Sequence, residues 1–124
     1  GENGIASVAR AGMIVIDTST SEPATTTKTR EALAAKGVAF VDAPLSRTPV
    51  EAEQGRLNTM VGADDATFAK LAPVFAAYCE NVVHAGPAGH GLVLKLINNF
   101  VAHAMCSAFS EAMAAASKSG LSID

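Results

Sequence analysis

The 124-residue sequence has no tryptophan, one tyrosine and two cysteines, and each scarcity closes off a class of protein. Cys79 and Cys106 lie far apart with no CxxC pair, so a disulfide-stapled secreted scaffold is not expected. Both read as small apolar core residues on buried helix faces, in the reducing cytoplasm. His84, His90 and His103 lack metal-ligand spacing, so no metal site is expected. Basic residues are not in excess: nine Lys and Arg against twelve Asp and Glu leave a net charge of −3. That balance argues against nucleic-acid and anionic-membrane partners. No apolar run reaches the roughly 18 residues of a membrane span. Nor does a basic start with an apolar core and a cleavage site mark a signal peptide. Internal repeats and low-complexity stretches are also missing.

What is present is 49% apolar and 17% charged, the balance of a soluble globular domain or a piece of one. Abundant alanine suggests helices packed closely through small side chains. Met13–Asp17 (MIVID) and Val38–Asp42 (VAFVD) read as buried strands, each ending on a carboxylate. Between them a helix runs to about Lys36, with Thr20 or Ser21 as its cap, Pro23 in its first turn and Gly37 as its stop. Strand, helix, strand implies a parallel, doubly wound sheet. Ala43–Gln54 reads as a loop with a helical turn, Gly55–Gly62 as a third strand and Asn81–His84 as a fourth. The spacing of Phe68, Leu71, Phe75 and Tyr78 predicts a helix over Asp64–Cys79. A long helix is expected from Gly91 to about Ser119, closed by Gly120.

Three stretches can carry chemistry. Lys95, Asn99 and His103 share one face of the long helix at successive turns. Among Leu92, Val93, Leu94, Leu96 and Ile97, the bland reading of Lys95 is a snorkelling lysine on a wet stripe. The functional reading is a proton-exchanging group. Burial and the positive end of a helix both disfavour a charged ammonium, and a lysine so placed can give or take a proton at pH 7. Gly86, Gly89 and Gly91 precede it and would let a flat ligand approach the backbone, although G-x-x-G-x-G is not the dinucleotide fingerprint. The second stretch, Asp42–Thr48, follows a strand end, where doubly wound sheets place ligands. Ser46 and Thr48 offer hydroxyls there and Arg47 a fork for a carboxylate; the bland alternative is a solvated loop. The third, Asp17–Pro23, also follows a strand end, and plain helix capping is the favoured reading of it.

In this order, DTSTSEP, VDAPLSRT…EAEQGRLNTMVG and HAGPAGHGLVLKLINN resemble the β-hydroxyacid dehydrogenases, the family of 3-hydroxyisobutyrate dehydrogenase. The resemblance covers essentially the whole chain. It implies an NAD- or NADP-dependent oxidoreductase that interconverts small hydroxyacids and semialdehydes. By that resemblance Lys95 is the catalytic lysine, Asn99 and Ser46 bind substrate, and Thr20 lies near the nicotinamide. Asn98 stands where the 6-phosphogluconate enzymes have histidine, which argues against that branch. The family's Ser-Gly-Gly is Ser46-Arg47-Thr48 here, so Arg47 is expected to grip the anionic tail of the substrate. A similar arginine occurs in relatives resembling sulfolactaldehyde reductase.

The resemblance also implies an α/β fold: a partial Rossmann-type sheet followed by a long interdomain helix. Residues 1–87 would be the later half of the NAD(P)-binding domain. Residues 88–124 would be the helix and the start of a helical domain. The chain would then be a fragment, expected to be cytoplasmic, homo-oligomeric and inactive alone. A competing expectation is a non-catalytic module that self-associates through its long apolar helix.

Overall fold

The computed structural model describes residues 4–122. After a single turn, α1 (Ile5–Val8), the β-branched run Ile14–Asp17 forms strand β1 and Ala39–Asp42 forms β2. They pair in parallel, Ile14 opposite Ala39 and Asp17 opposite Asp42, so both strand-ending carboxylates lie at one level. Helix α2 (Pro23–Ala34) connects them. Its N-cap is Glu22 and not Thr20 or Ser21; Pro23 takes the first helical position, where it needs no N–H partner. The Ser21 hydroxyl instead pairs with Thr26 Oγ1 at 2.7 Å. At its end, Gly37 sits at φ +68 while the Val38 N–H reaches the Leu33 carbonyl, a glycine-terminated helix as expected.

Beyond β2 the sheet departs from a purely parallel one. Part of the expected loop is a two-residue strand, β3 (Leu45–Ser46), and its helical turn is α3 (Pro49–Glu53). Strand β4 (Leu57–Gly62) runs antiparallel to both, meeting β2 at Asp42–Gly62 and β3 at Leu45–Thr59 and Ser46–Asn58. Residues 42–46 therefore form one broken edge along β4. The Pro44 carbonyl accepts from Met60 N–H, and the buried Thr59 hydroxyl donates to the Ala43 carbonyl. Helix α4 (Asp65–Ala76) ends before Tyr78 and Cys79, so Tyr78 packs from beyond the helix. Strand β5 (Cys79–Gly86) is parallel to β4 and longer than expected.

Strand alternation sorts the core into two layers. Val41, Ala43, Val61 and Ala63 pack with Leu71 and Phe75 of α4, joined by Ile14 and Ile16. Leu33, Val38 and Phe40 pack with Val15 under α1 and α2. Fully burying a side chain such as Phe75 contributes roughly 1.5–3 kcal/mol. This is the expected α/β arrangement, a partial Rossmann-type sheet leading into one long helix, α5 (His90–Lys118). Only Gly91, Leu92 and Lys95 of α5 are buried. Phe100, Met105 and Phe109 stand about two-thirds or more exposed, at 74%, 68% and 66%.

Two expectations need correction here. Cys106 lies on α5 and is exposed, whereas Cys79, at the start of β5, is buried; both are free thiols. The apolar stretch of α5, although interrupted by Lys95, is long and apolar enough to cross a membrane by length and composition. A helix packed within a globular enzyme passes the same test.

Candidate active site

The carboxyl ends of β1 and β2 and the first turns of α5 meet at one corner. Residues 87–90 hold no Ser, Thr, Asp or Asn to cap a helix, and the N-cap of α5, Gly89, makes no side-chain cap bond. The acceptor comes from β2. Buried Asp42 takes the Gly89 N–H on Oδ1 at 2.5 Å and the Leu92 N–H on Oδ2 at 2.7 Å. The preceding loop is tied down by Arg30, which donates to the Ala88 carbonyl at 2.7 Å, and by the Ala63 N–H to Gly86 bond. Sequence reasoning missed the role of Asp42, and one signal pointed to it: a helix starting without a capping residue needs an acceptor from elsewhere.

The glycines serve packing at this corner. A Cβ on Gly91 would overlap the Met60 carbonyl and come within 2.8 Å of the Asp42 carbonyl and the Gly62 N–H. A Cβ on Gly62 would run into the Asp42 carboxylate, and one on Gly86 would meet the His90 ring at 2.9 Å. Thus Gly86 and Gly91 admit the protein's own atoms, a correction to the expectation that they open the backbone to a ligand.

One turn beyond Gly91 on the same stripe is Lys95, 8% exposed. Its stem is covered while its ammonium keeps contact with solvent, as the snorkelling reading also expects. Among the described residues its ammonium has no hydrogen-bond or ion-pair partner. Asn99, a further turn on, is half-buried, whereas Asn98 and His103 are exposed. Ser46 lies along β4 two residues from Met60, which Gly91 touches. Ser46 and Lys95 therefore depart from a common contact by about two strand residues and one helical turn. Thr20 is exposed in the segment after β1, where Ser19 donates to Asp17 from both its N–H and its hydroxyl.

Arg47 and Thr48 are engaged elsewhere. Arg47 has φ +85, a backbone shape that suits glycine. Its guanidinium pairs with Glu80 and donates to the Arg56 carbonyl at 2.6 Å. Glu80 also meets Arg56 at 3.3 Å, and its carboxyl is held below the usual range, chiefly by its hydrogen bond to Arg47. One arm of the fork expected to hold a substrate anion, Nη1, is thus engaged within the protein. Thr48 caps α3: its N–H and hydroxyl both donate to Glu51, which lowers the Glu51 carboxyl from its ordinary value.

At the start of α5 the residues present do not fit the phosphates of a dinucleotide. The N–H groups that a pyrophosphate would use at the start of α5 already face Asp42, whose carboxylate would repel it. Grooves of roughly 300 and 490 Å³ adjoin β1, lined in part by Gly12 and Lys70 and by Ile5 and Val8 respectively; neither is lined by Lys95.

Residues 1–86 match the family described as the NAD binding domain of 6-phosphogluconate dehydrogenase. The chain is 36% identical over 121 residues to 2-(hydroxymethyl)glutarate dehydrogenase of Eubacterium barkeri, covering 98% of this chain and 40% of that protein. It is likewise 36% identical to 3-hydroxyisobutyrate dehydrogenase of Pseudomonas aeruginosa, covering 98% and 41%. Its fold superposes with a TM-score of 0.88 on the Mycobacterium tuberculosis 3-hydroxyisobutyrate dehydrogenase structure with L-serine, at 31% identity over 96% of this chain and 41% of that one. The chain therefore spans about two-fifths of the length of the relatives it matches.

Proposed function

Since this chain belongs to the family of the NAD-binding domain of 6-phosphogluconate dehydrogenase and the β-hydroxyacid dehydrogenases, we propose that it contributes the proton-transfer side of a dehydrogenase site. The reaction is the interconversion of a small β-hydroxyacid and its semialdehyde. NAD or NADP, when bound, supplies or accepts the hydride. In the reducing direction the Lys95 ammonium gives a proton to the oxygen of the former carbonyl and is left as the amine. In oxidation the amine accepts the hydroxyl proton.

Asn99 and Ser46 would hydrogen-bond the substrate, and Thr20, after β1, would lie toward the nicotinamide. Arg47 would meet a substrate anion with the guanidinium N–H groups that Glu80 and Arg56 leave free, and Thr48 only by uncapping α3. Residues 1–87 would form the later part of the dinucleotide domain, and residues 88–124 the helix leaving it. The observation that carries this reading is the burial of the Lys95 stem on the stripe it shares with Asn99, with its ammonium reaching solvent at the corner where β2 and α5 meet.

A second reading, a non-catalytic self-associating module, draws on the exposed Phe100, Met105 and Phe109 of α5. The two separate on one experiment. The proposal predicts that millimolar NADH or NADPH raises the melting temperature of the chain. No shift with either cofactor, together with a concentration-dependent dimer in light scattering, supports the module.

A further inference from the structure

We propose that Asp42 is the positioning residue for Lys95. Three observations converge on it. The carboxylate is 2% exposed and receives N–H groups from two residues of the first turn of α5, Gly89 and Leu92. Two such bonds from different residues fix the rotation of a helix start as well as its position. The space is shaped to the carboxylate, because Gly62 and Gly91 leave no room for a Cβ between Asp42, β4 and the helix. Leu92 and Gly91 are three and four residues before Lys95, so the turn that Asp42 holds is the one that sets the direction of the lysine side chain.

Beyond Lys95 no other residue of α5 is buried, so the rotation of the helix is set in its first turns, where Asp42 acts together with the packing of Gly91 and Leu92. Asp42 is the last residue of β2, paired with Gly62 at the same corner. The strand end thus transmits its position through one carboxylate to the helix. The inference deepens the proposed function, since it names what would place the proton-exchanging group. The placement itself is testable without turnover or cofactor, so its failure and that of the dehydrogenase reading can be told apart.

The test uses the chain as it stands and its Asp42→Asn variant, whose amide offers an N–H₂ where one backbone N–H needs an acceptor. Brief labelling with acetic anhydride, read by mass spectrometry, compares Lys95 with exposed Lys70. In the parent chain Lys95 should label slowly. In Asp42→Asn it should label about tenfold faster, as expected for losing one charge-assisted bond, with faster amide exchange at Gly89 and Leu92. A control, Asp64→Ala, uncaps α4 and should leave Lys95 labelling unchanged. Asp42→Asn with faster exchange at Gly89 and Leu92 but parental Lys95 labelling overturns the proposal, as does equal acceleration in the control. Should Asp42→Asn not fold, the parent chain in sub-denaturing urea decides: Lys95 labelling and Leu92 exchange should rise with one common slope, and different slopes overturn the inference.

Discussion

Single residues show where this chain spends conformational freedom. Arg47 adopts φ +85 with a full side chain, at the place where the resembling family carries glycine. Arg47→Gly should therefore be more stable than Arg47→Ala by roughly 1 kcal/mol, since both lose the Glu80 pair and only glycine relieves the backbone. Urea unfolding of the two variants checks the difference, and equal midpoints would remove the strain. Gly91→Ala forces a methyl against the Met60 carbonyl, which belongs to strand backbone and cannot swing away. It should cost at least 1–3 kcal/mol, the range for overpacking, measurable as a lowered unfolding midpoint. Neither effect was legible in the sequence. A left-handed arginine has no local signature, and the neighbours of Gly91 come from β2 and β4, 29 or more positions away.

Elements were read most faithfully where the local signal was strong. MIVID and VAFVD are strands, and Gly37 and Gly120 close their helices at positive φ. The short β3 was hidden because two residues after a proline carry no periodicity; they are a strand only because Thr59 and Asn58 of β4 lie opposite. The cap of α5 was hidden because its acceptor lies 47 residues before Gly89. The cap of α4 was legible. Asp64 accepts the Thr67 N–H at 2.9 Å and the Thr67 hydroxyl at 2.7 Å, and these bonds lower its carboxyl from the usual value. Asp64→Ala should lower the unfolding midpoint. Carboxyls lowered on folding stabilise the native state above their unfolded values and lose that contribution as the pH falls through the folded values. Asp64, Glu51 and Glu80 all belong to this class. The melting temperature should thus be level near neutrality and fall below about pH 4, the range of unperturbed carboxyls. Of the three, Glu80 alone pairs with arginines, so Glu80→Gln should weaken the salt dependence of stability. Asp64→Ala should leave that dependence unchanged.

At the scale of the whole molecule, the strand–helix–strand order was legible because apolar runs and helix spacing are local. The sequence also placed Lys95 on the stripe it shares with Asn99. What it could not show is how the lysine comes to be held. The sheet ends at one corner, Asp42 anchors α5 there, and the lysine stem is covered one turn later. The proton-transfer reading rests on that arrangement, and the family match supplies its chemical setting.

The central claim is best tested by replacing the matching segment of the Pseudomonas aeruginosa relative with this chain and following aldehyde-dependent oxidation of NADH or NADPH. The account predicts measurable reduction of a small semialdehyde by the chimera. It further predicts a loss of kcat of about 10²–10⁴-fold in Lys95→Met, the usual contribution of a general acid, with little change in cofactor binding. An active chimera whose Lys95→Met variant keeps its kcat would contradict it.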